Sequence, residues 1–274
     1  MELSNTILTI LCSISFAACL SVIIIYFSCK SLRTLAFKFI FWLNFSNFIK
    51  SFAGVMSEGL ILEYSELCQI DAYFFYSSSL ASFLWTSVIA NKLYKSMNEA
   101  PDSESNLWVY FTSIYSLSFS IGAIPFIFNQ YNREYPHCDL KLSKDGDIIR
   151  FSIFYIPALL VFIYIGVIYF RVIKVAWKEN VYSKRDTIRL SYFPLVMVFC
   201  ILPAFIARVL NFYKMSHPIV NFICLALVYL HGFFDALAYA FTPPVMKFLK
   251  SLCNKKDISR PRDSESFLLH TYNN

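Results

Sequence analysis

The chain has 274 residues, of which 57% are hydrophobic and 15% charged, whereas soluble domains run at roughly 45–50% and 25%. That balance excludes an ordinary water-soluble domain. The net charge of +6 raises the question of a nucleic-acid partner, which the placement of the charges answers.

A helix rises about 1.5 Å per residue, so roughly 20 apolar residues cross the hydrocarbon core. Seven such runs follow one another. The first, 3–29, is charge-free, too long for a signal-peptide core and lacks a basic lead, so it reads as an uncleaved span behind a short external tail. The second, 39–57, is broken only by Lys50, and the sequon Asn44-Phe45-Ser46 lies inside it, out of reach of glycosylation. Charge-free runs at 72–91, 105–132, 151–170, 190–207 and 215–234 complete the set. A short amphipathic helix, 244–253, follows the last. The expectation is an all-α bundle of seven transmembrane helices over 1–249, with a disordered cytoplasmic tail over 250–274.

Cations gather after span one (Lys30, Arg33), after span five (Lys174, Lys178, Lys184, Arg185, Arg189) and in the tail, while the segment after span two holds Glu58, Glu63, Glu66 and Asp71 and no cation. The positive-inside rule places the N-terminus outside and the C-terminus in the cytoplasm. The basic excess is therefore a topology signal and a contact for the lipid bilayer, with no nucleic acid. Gly is scarce at 6, against 29 Phe and 18 Tyr, so aromatic bulk rather than close Gly contact is expected to fill the gaps between helices. Cys68 heads span three and Cys138 lies in the loop 131–147. Both are on the oxidising side, as a bridge or as two separate thiols. Cys253, among Lys250, Lys255 and Lys256, is placed for S-palmitoylation or stays a free thiol.

Span three reads Cys68-Gln69-Ile70, then Ala81-Ser82-Phe83-Leu84-Trp85-Thr86 and Ile89-Ala90. Span two opens Phe37-Lys38-Phe39-Ile40-Phe41-Trp42-Leu43, span five holds Tyr155-Ile156-Pro157, and span seven reads Gly232-Phe233-Phe234-Asp235-Ala236-Leu237-Ala238-Tyr239. These stretches resemble the cyclic-AMP-receptor-like and glucose-receptor-like family of seven-transmembrane G-protein-coupled receptors. The resemblance implies a multi-pass plasma-membrane receptor, not an enzyme, that transmits an external small-molecule signal to a heterotrimeric G protein without a cofactor or metal. It also implies a Cys68–Cys138 disulfide. Two departures from rhodopsin-like receptors stand out. Asn91-Lys92-Leu93-Tyr94 replaces their acidic-Arg-aromatic triplet, and Asp235-Ala236-Leu237-Ala238-Tyr239 lacks the Pro of their seventh-span motif.

Polar groups inside a bilayer are costly and face the bundle interior, so each is a functional candidate. Asn47, Lys50, Gly54 and Ser57 share one face of span two. Cys200, Ala204, Arg208 and Asn211 line span six, and His231, Asp235 and Tyr239 line span seven. Rhodopsin-like receptors resemble this chain with an acid in span two opposite an amide in span seven. Here the types are exchanged, which makes Asn47 and Asp235 a hydrogen-bonded pair, read either as a hydrated or sodium-linked switch or as a static contact. Lys50 and Arg208 lie in the external halves of their spans, where an anionic ligand would bridge them with Tyr76, Ser79 and Asn211 completing the pocket. Pairing of Lys50 with Asp235, or snorkelling of either cation, is the competing reading. Pro203 marks a kink in span six, as a pivot or as plain architecture. A small-solute transporter or channel is the alternative function. The missing internal repeat weighs against it.

Overall fold

The structure, a computed structural model, describes residues 2–56, 65–97, 107–134, 137–141, 143–179, 192–212, 215 and 217–253. Helices follow the apolar runs: Glu2–Ser28, Leu35–Met56, Ser65–Met97 and Leu107–Ile127 form spans one to four. Lys144–Arg150 and Ile156–Glu179 form span five, joined by a π-helical turn at Phe151–Tyr155. Tyr192–Phe212 and Pro218–Ala240 form spans six and seven. The π turn has a local cause. Pro157 has no N–H to return to the preceding turn, and the register widens by one residue just before it, with Ile156 N–H reaching Phe151 O.

Among the described residues, five spans are long and apolar enough to cross a membrane. Phe27, Phe170, Leu195 and Ile219 turn outward from them. Spans two and three fall short because they are central. Span two buries Asn44, Ser46, Asn47, Lys50 and Ser51 together with its apolar residues. Side chains that never meet lipid need not be apolar, so the polarity of these two helices is a consequence of position.

Just beyond the end of span four, Asn129 has a φ of 51°, in the left-handed region that Asn tolerates. The chain then forms a hairpin, β1 (Tyr131–Glu134) against β2 (His137–Leu140), antiparallel with Tyr131 opposite Leu140. Loop 131–147 is thus partly strand, and span five begins at Lys144, where the Ser143 side chain caps the amide of Gly146 at 3.0 Å. The helical segment thus begins seven residues before the charge-free run, at Lys144. The Cys68–Cys138 disulfide ties β2 to the head of span three, with Cα atoms 5.3 Å apart. After span seven, Pro243–Cys253 forms the amphipathic helix, with Val245 buried against the cytoplasmic half of the bundle. It runs across the boundary expected at 249, and the tail from 254 onward lies outside the described residues.

Aromatics do fill the bundle: Trp42 stacks on Trp85 at 6.5 Å, and Phe154 meets Tyr76 and Phe83 at 5.4 Å each. The expectation that glycine plays little part needs correcting, because three of the five described glycines sit at close approaches between helices. A Cβ on Gly232 would lie 2.6 Å from Ser15 Oγ, 2.8 Å from Cys19 Sγ and 3.1 Å from Asn47 Cβ. Gly54 and Gly122 are crowded in the same way, by Cys12 and Ser77. Gly232→Ala is expected to cost about 1–3 kcal/mol through overpacking of spans one, two and seven. Gly166 has nothing within 4 Å, so Gly166→Ala should hold or slightly raise stability. Thermal unfolding of the two purified variants in detergent checks the contrast.

Candidate functional site

Two polar regions are stacked along the bundle axis. The outer one is a cavity of about 190 Å³ beneath the hairpin. Span three supplies Asp71, Phe75 and Tyr76, β2 supplies Asp139, and the π turn supplies Tyr155. Arg208 enters from span six, and Asn221, Phe222 and Tyr229 from span seven.

Asp139 is the hub of its wall. Its Oδ1 accepts from the Tyr76 hydroxyl and, at 2.7 Å, from the amide of Leu140. Its Oδ2 lies 3.3 Å from Arg150 Nη2 and 4.0 Å from Arg208 Nη2. Arg150 also donates to Leu140 O at 2.6 Å and to Asp147 at 2.9 Å. Tight charge-assisted bonds run at about 2.7–2.9 Å, so Arg150 is firmly held, while Arg208 sits only loosely on Asp139, with the Tyr155 hydroxyl as its other neighbour, and its side chain remains 32% exposed. Burial, and next the Asp139 carboxylate, push the Tyr131 phenol well up, so it stays protonated and donates to Gly122 O at 3.0 Å.

The inner region is the polar core. Asn47 Nδ2 donates to Asp235 Oδ2 at 2.7 Å, and Ser82 Oγ donates to Asn47 Oδ1 at 2.9 Å. Lys50 Nζ lies 3.2 Å from His231 Nδ1, and His231 Nε2 lies 3.5 Å from the same Asp235 Oδ2. With Lys50 as an ammonium donating to Nδ1, the Nε2 proton of His231 faces the carboxylate. All five side chains are essentially buried. Tyr239, on the same stripe, is buried against the edge of the Phe37 ring, with centroids 5.7 Å apart.

Of the residues expected to contact ligand, Tyr76 and Arg208 line the cavity. Lys50 does not: it is 1% exposed and turned to His231, because its helix face meets span seven rather than the outer opening. Ser79 is turned back to Phe75 O at 2.7 Å. Asn211 stands one shell behind, in a reciprocal amide pair with the cavity residue Asn221 at 3.2 Å each way. Arg208, for which an anionic ligand was the expected partner, has Asp139 beside it at 4.0 Å. In the sequence Asp139 and Arg150 stand in a connection of mixed charge, with Arg133, Lys141 and Lys144 against Glu134, Asp145 and Asp147. Their sign and their spacing across the turn were visible, but nothing marked them as partners. Pro203 lies inside span six, and the Cys253 side chain lies outside the described residues.

A bundle of seven membrane helices followed by an amphipathic helix, with a disulfide tying the external hairpin to span three, is the fold of a G-protein-coupled-receptor-type protein. Squid rhodopsin superposes with a TM-score of 0.72 over 98% of this chain and 90% of that one, at 14% identity. The family is also defined: residues 1–254 match the family model "Slime mold cyclic AMP receptor", and the chain belongs to that family. It is 26% identical over 259 residues to "G-protein coupled receptor 1" of Arabidopsis thaliana, covering 86% of this chain and 77% of that protein. It is also 26% identical over 230 residues to "Cyclic AMP receptor-like protein A" of Dictyostelium discoideum, covering 80% and 59%. The chain is a multi-pass membrane receptor and not an enzyme.

Proposed function

We propose that the protein is a plasma-membrane receptor that passes an external small-molecule signal to a heterotrimeric G protein. The observation that supports this most is the stacking of cavity and polar core on shared helices. Span seven turns Tyr229 into the cavity and His231 and Asp235 into the core. Tyr229 and Asp235 are separated by about 9 Å of helix rise. Span two does the same with Gly54 above Lys50 and Asn47. A ligand that fits the cavity better in one arrangement of these helices shifts the population toward it by that difference in affinity. On the cytoplasmic side the basic segment 174–189 and helix Pro243–Cys253 offer the G-protein surface.

Arg208 is the group that meets an acidic moiety of the ligand, through the donor geometry its loose pairing leaves available. Arg208→Gln is expected to shift the dose–response at least about tenfold, equivalent to about 1.4 kcal/mol, with surface expression unchanged. The assay is agonist-promoted nucleotide exchange on G protein, screened with cyclic nucleotides, sugars, amino acids and folate-like anions. A curve that Arg208→Gln leaves in place would assign the guanidinium to snorkelling. Absence of exchange with any G protein would sink the receptor reading itself.

A further inference from the structure

Asp71 is 7% exposed and lines the cavity, yet among the described residues it meets neither a cation nor a hydrogen-bond donor. Asp139, by contrast, is shared between two guanidinium groups and a phenol. A desolvated carboxylate without a partner is expensive and takes up a proton or a cation in compensation, and a cation that visits the cavity can supply that answer. Phe75 lies one turn below Asp71 on the same helix and meets the Tyr229 ring edge-on at 5.8 Å, which gives the carboxylate aromatic neighbours that also favour a cation.

We infer that the ligand is a small ampholyte of amino-acid size, whose ammonium group is received by Asp71 while its acid group meets Arg208. This deepens the receptor reading and rests on it. Three further observations point the same way. Two cations, Arg150 and Arg208, stand against three acids, Asp139, Asp147 and Asp71, so a net anion would add charge beside Asp71 whereas an ammonium group offsets it. The connection leading to Asp71 carries Glu58, Glu63 and Glu66 and no cation, which draws cations toward this mouth rather than anions. The cavity, about 190 Å³, is below the roughly 300–1,000 Å³ of sites for drug-sized ligands.

The test uses the full-length receptor in lipid nanodiscs and follows its melting temperature with the twenty common L-amino acids. Each one that stabilises it is then paired with its des-amino acid and its decarboxylated amine. At least one amino acid is expected to stabilise the wild type, with both truncated partners at least about tenfold weaker, as loss of a charged contact gives. Asp71→Asn should weaken the amino acid and the amine by the same factor and leave the des-amino acid unaffected. Asp71→Glu, which keeps the carboxylate, should retain amine binding, and the unliganded melting temperature of each variant reports whether it folds. The inference is overturned when no amino acid stabilises the wild type, or when a folded Asp71→Asn binds amines as the wild type does. Either result leaves the receptor reading intact, because nucleotide exchange tests that separately.

Discussion

Asp235→Asn is expected to destabilise the receptor by about 3–5 kcal/mol, the range for removing one partner from a buried charged pair. The size of the effect identifies its cause. A hydrogen bond between membrane helices contributes only about 0.6 kcal/mol on average, and the Asn47 contact at 2.7 Å is one such bond. The larger part comes from Lys50, which is 1% exposed and reaches the carboxylate through His231. With position 235 neutral, that ammonium has no anion in the core. Adding Asn47→Asp returns a carboxylate to span two, three residues from Lys50, where the amide newly placed on span seven and Ser82 Oγ can both donate to it. The double variant should recover more than half of the loss. Lys50→Met combined with Asp235→Asn should recover most of it by a different route, since neither charge remains. Thermal melting in detergent gives the stabilities, and nucleotide exchange gives the signalling. Losses from Asp235→Asn and Asn47→Asp that simply add would show that the two sites are uncoupled.

This core was largely legible in the sequence, and the reason is physical. Hydrocarbon demands about twenty apolar residues per crossing, so the spans stand out. The cost of a polar group in lipid forces Asn47, Lys50, His231 and Asp235 onto inward faces that helical spacing reveals. Spacing fixes a face but not the height or rotation of the helix opposite. That is why the partner of Lys50 emerged only in three dimensions, as His231 rather than a ligand. The glycines misled for a related reason. Their number is low, but what decides close packing is where Gly54, Gly122 and Gly232 fall against neighbouring helices. The hairpin was least legible. Strands of four residues each carry little periodic signal, and the pairing of Asp139 with Arg150 depends on how the chain turns between them.

The hairpin is also where the second large effect is expected. Asp139→Asn should cost about 3–5 kcal/mol in unliganded stability, because Arg150, with a side chain only 3% exposed, would keep just Asp147 as an acidic partner, and that residue is 44% exposed. The change is nearly isosteric, so a cavity does not explain a loss of that size. Arg150→Gln added to Asp139→Asn should restore a substantial part of it, since the stranded charge is then gone. Arg208 responds in the opposite sense. At 4.0 Å it shares Asp139 Oδ2 with Arg150, so the carboxylate competes with any acid group that enters the cavity. Removing that competitor should tighten binding of acidic ligands several-fold even as the empty receptor becomes less stable. The Cys68–Cys138 disulfide, one residue away, keeps the hairpin attached while its electrostatic anchor is removed, so the two effects can be read on a folded protein. Melting curves with and without ligand measure both. A variant that loses stability and ligand affinity together would show Asp139 to be a ligand contact rather than an internal competitor for Arg208.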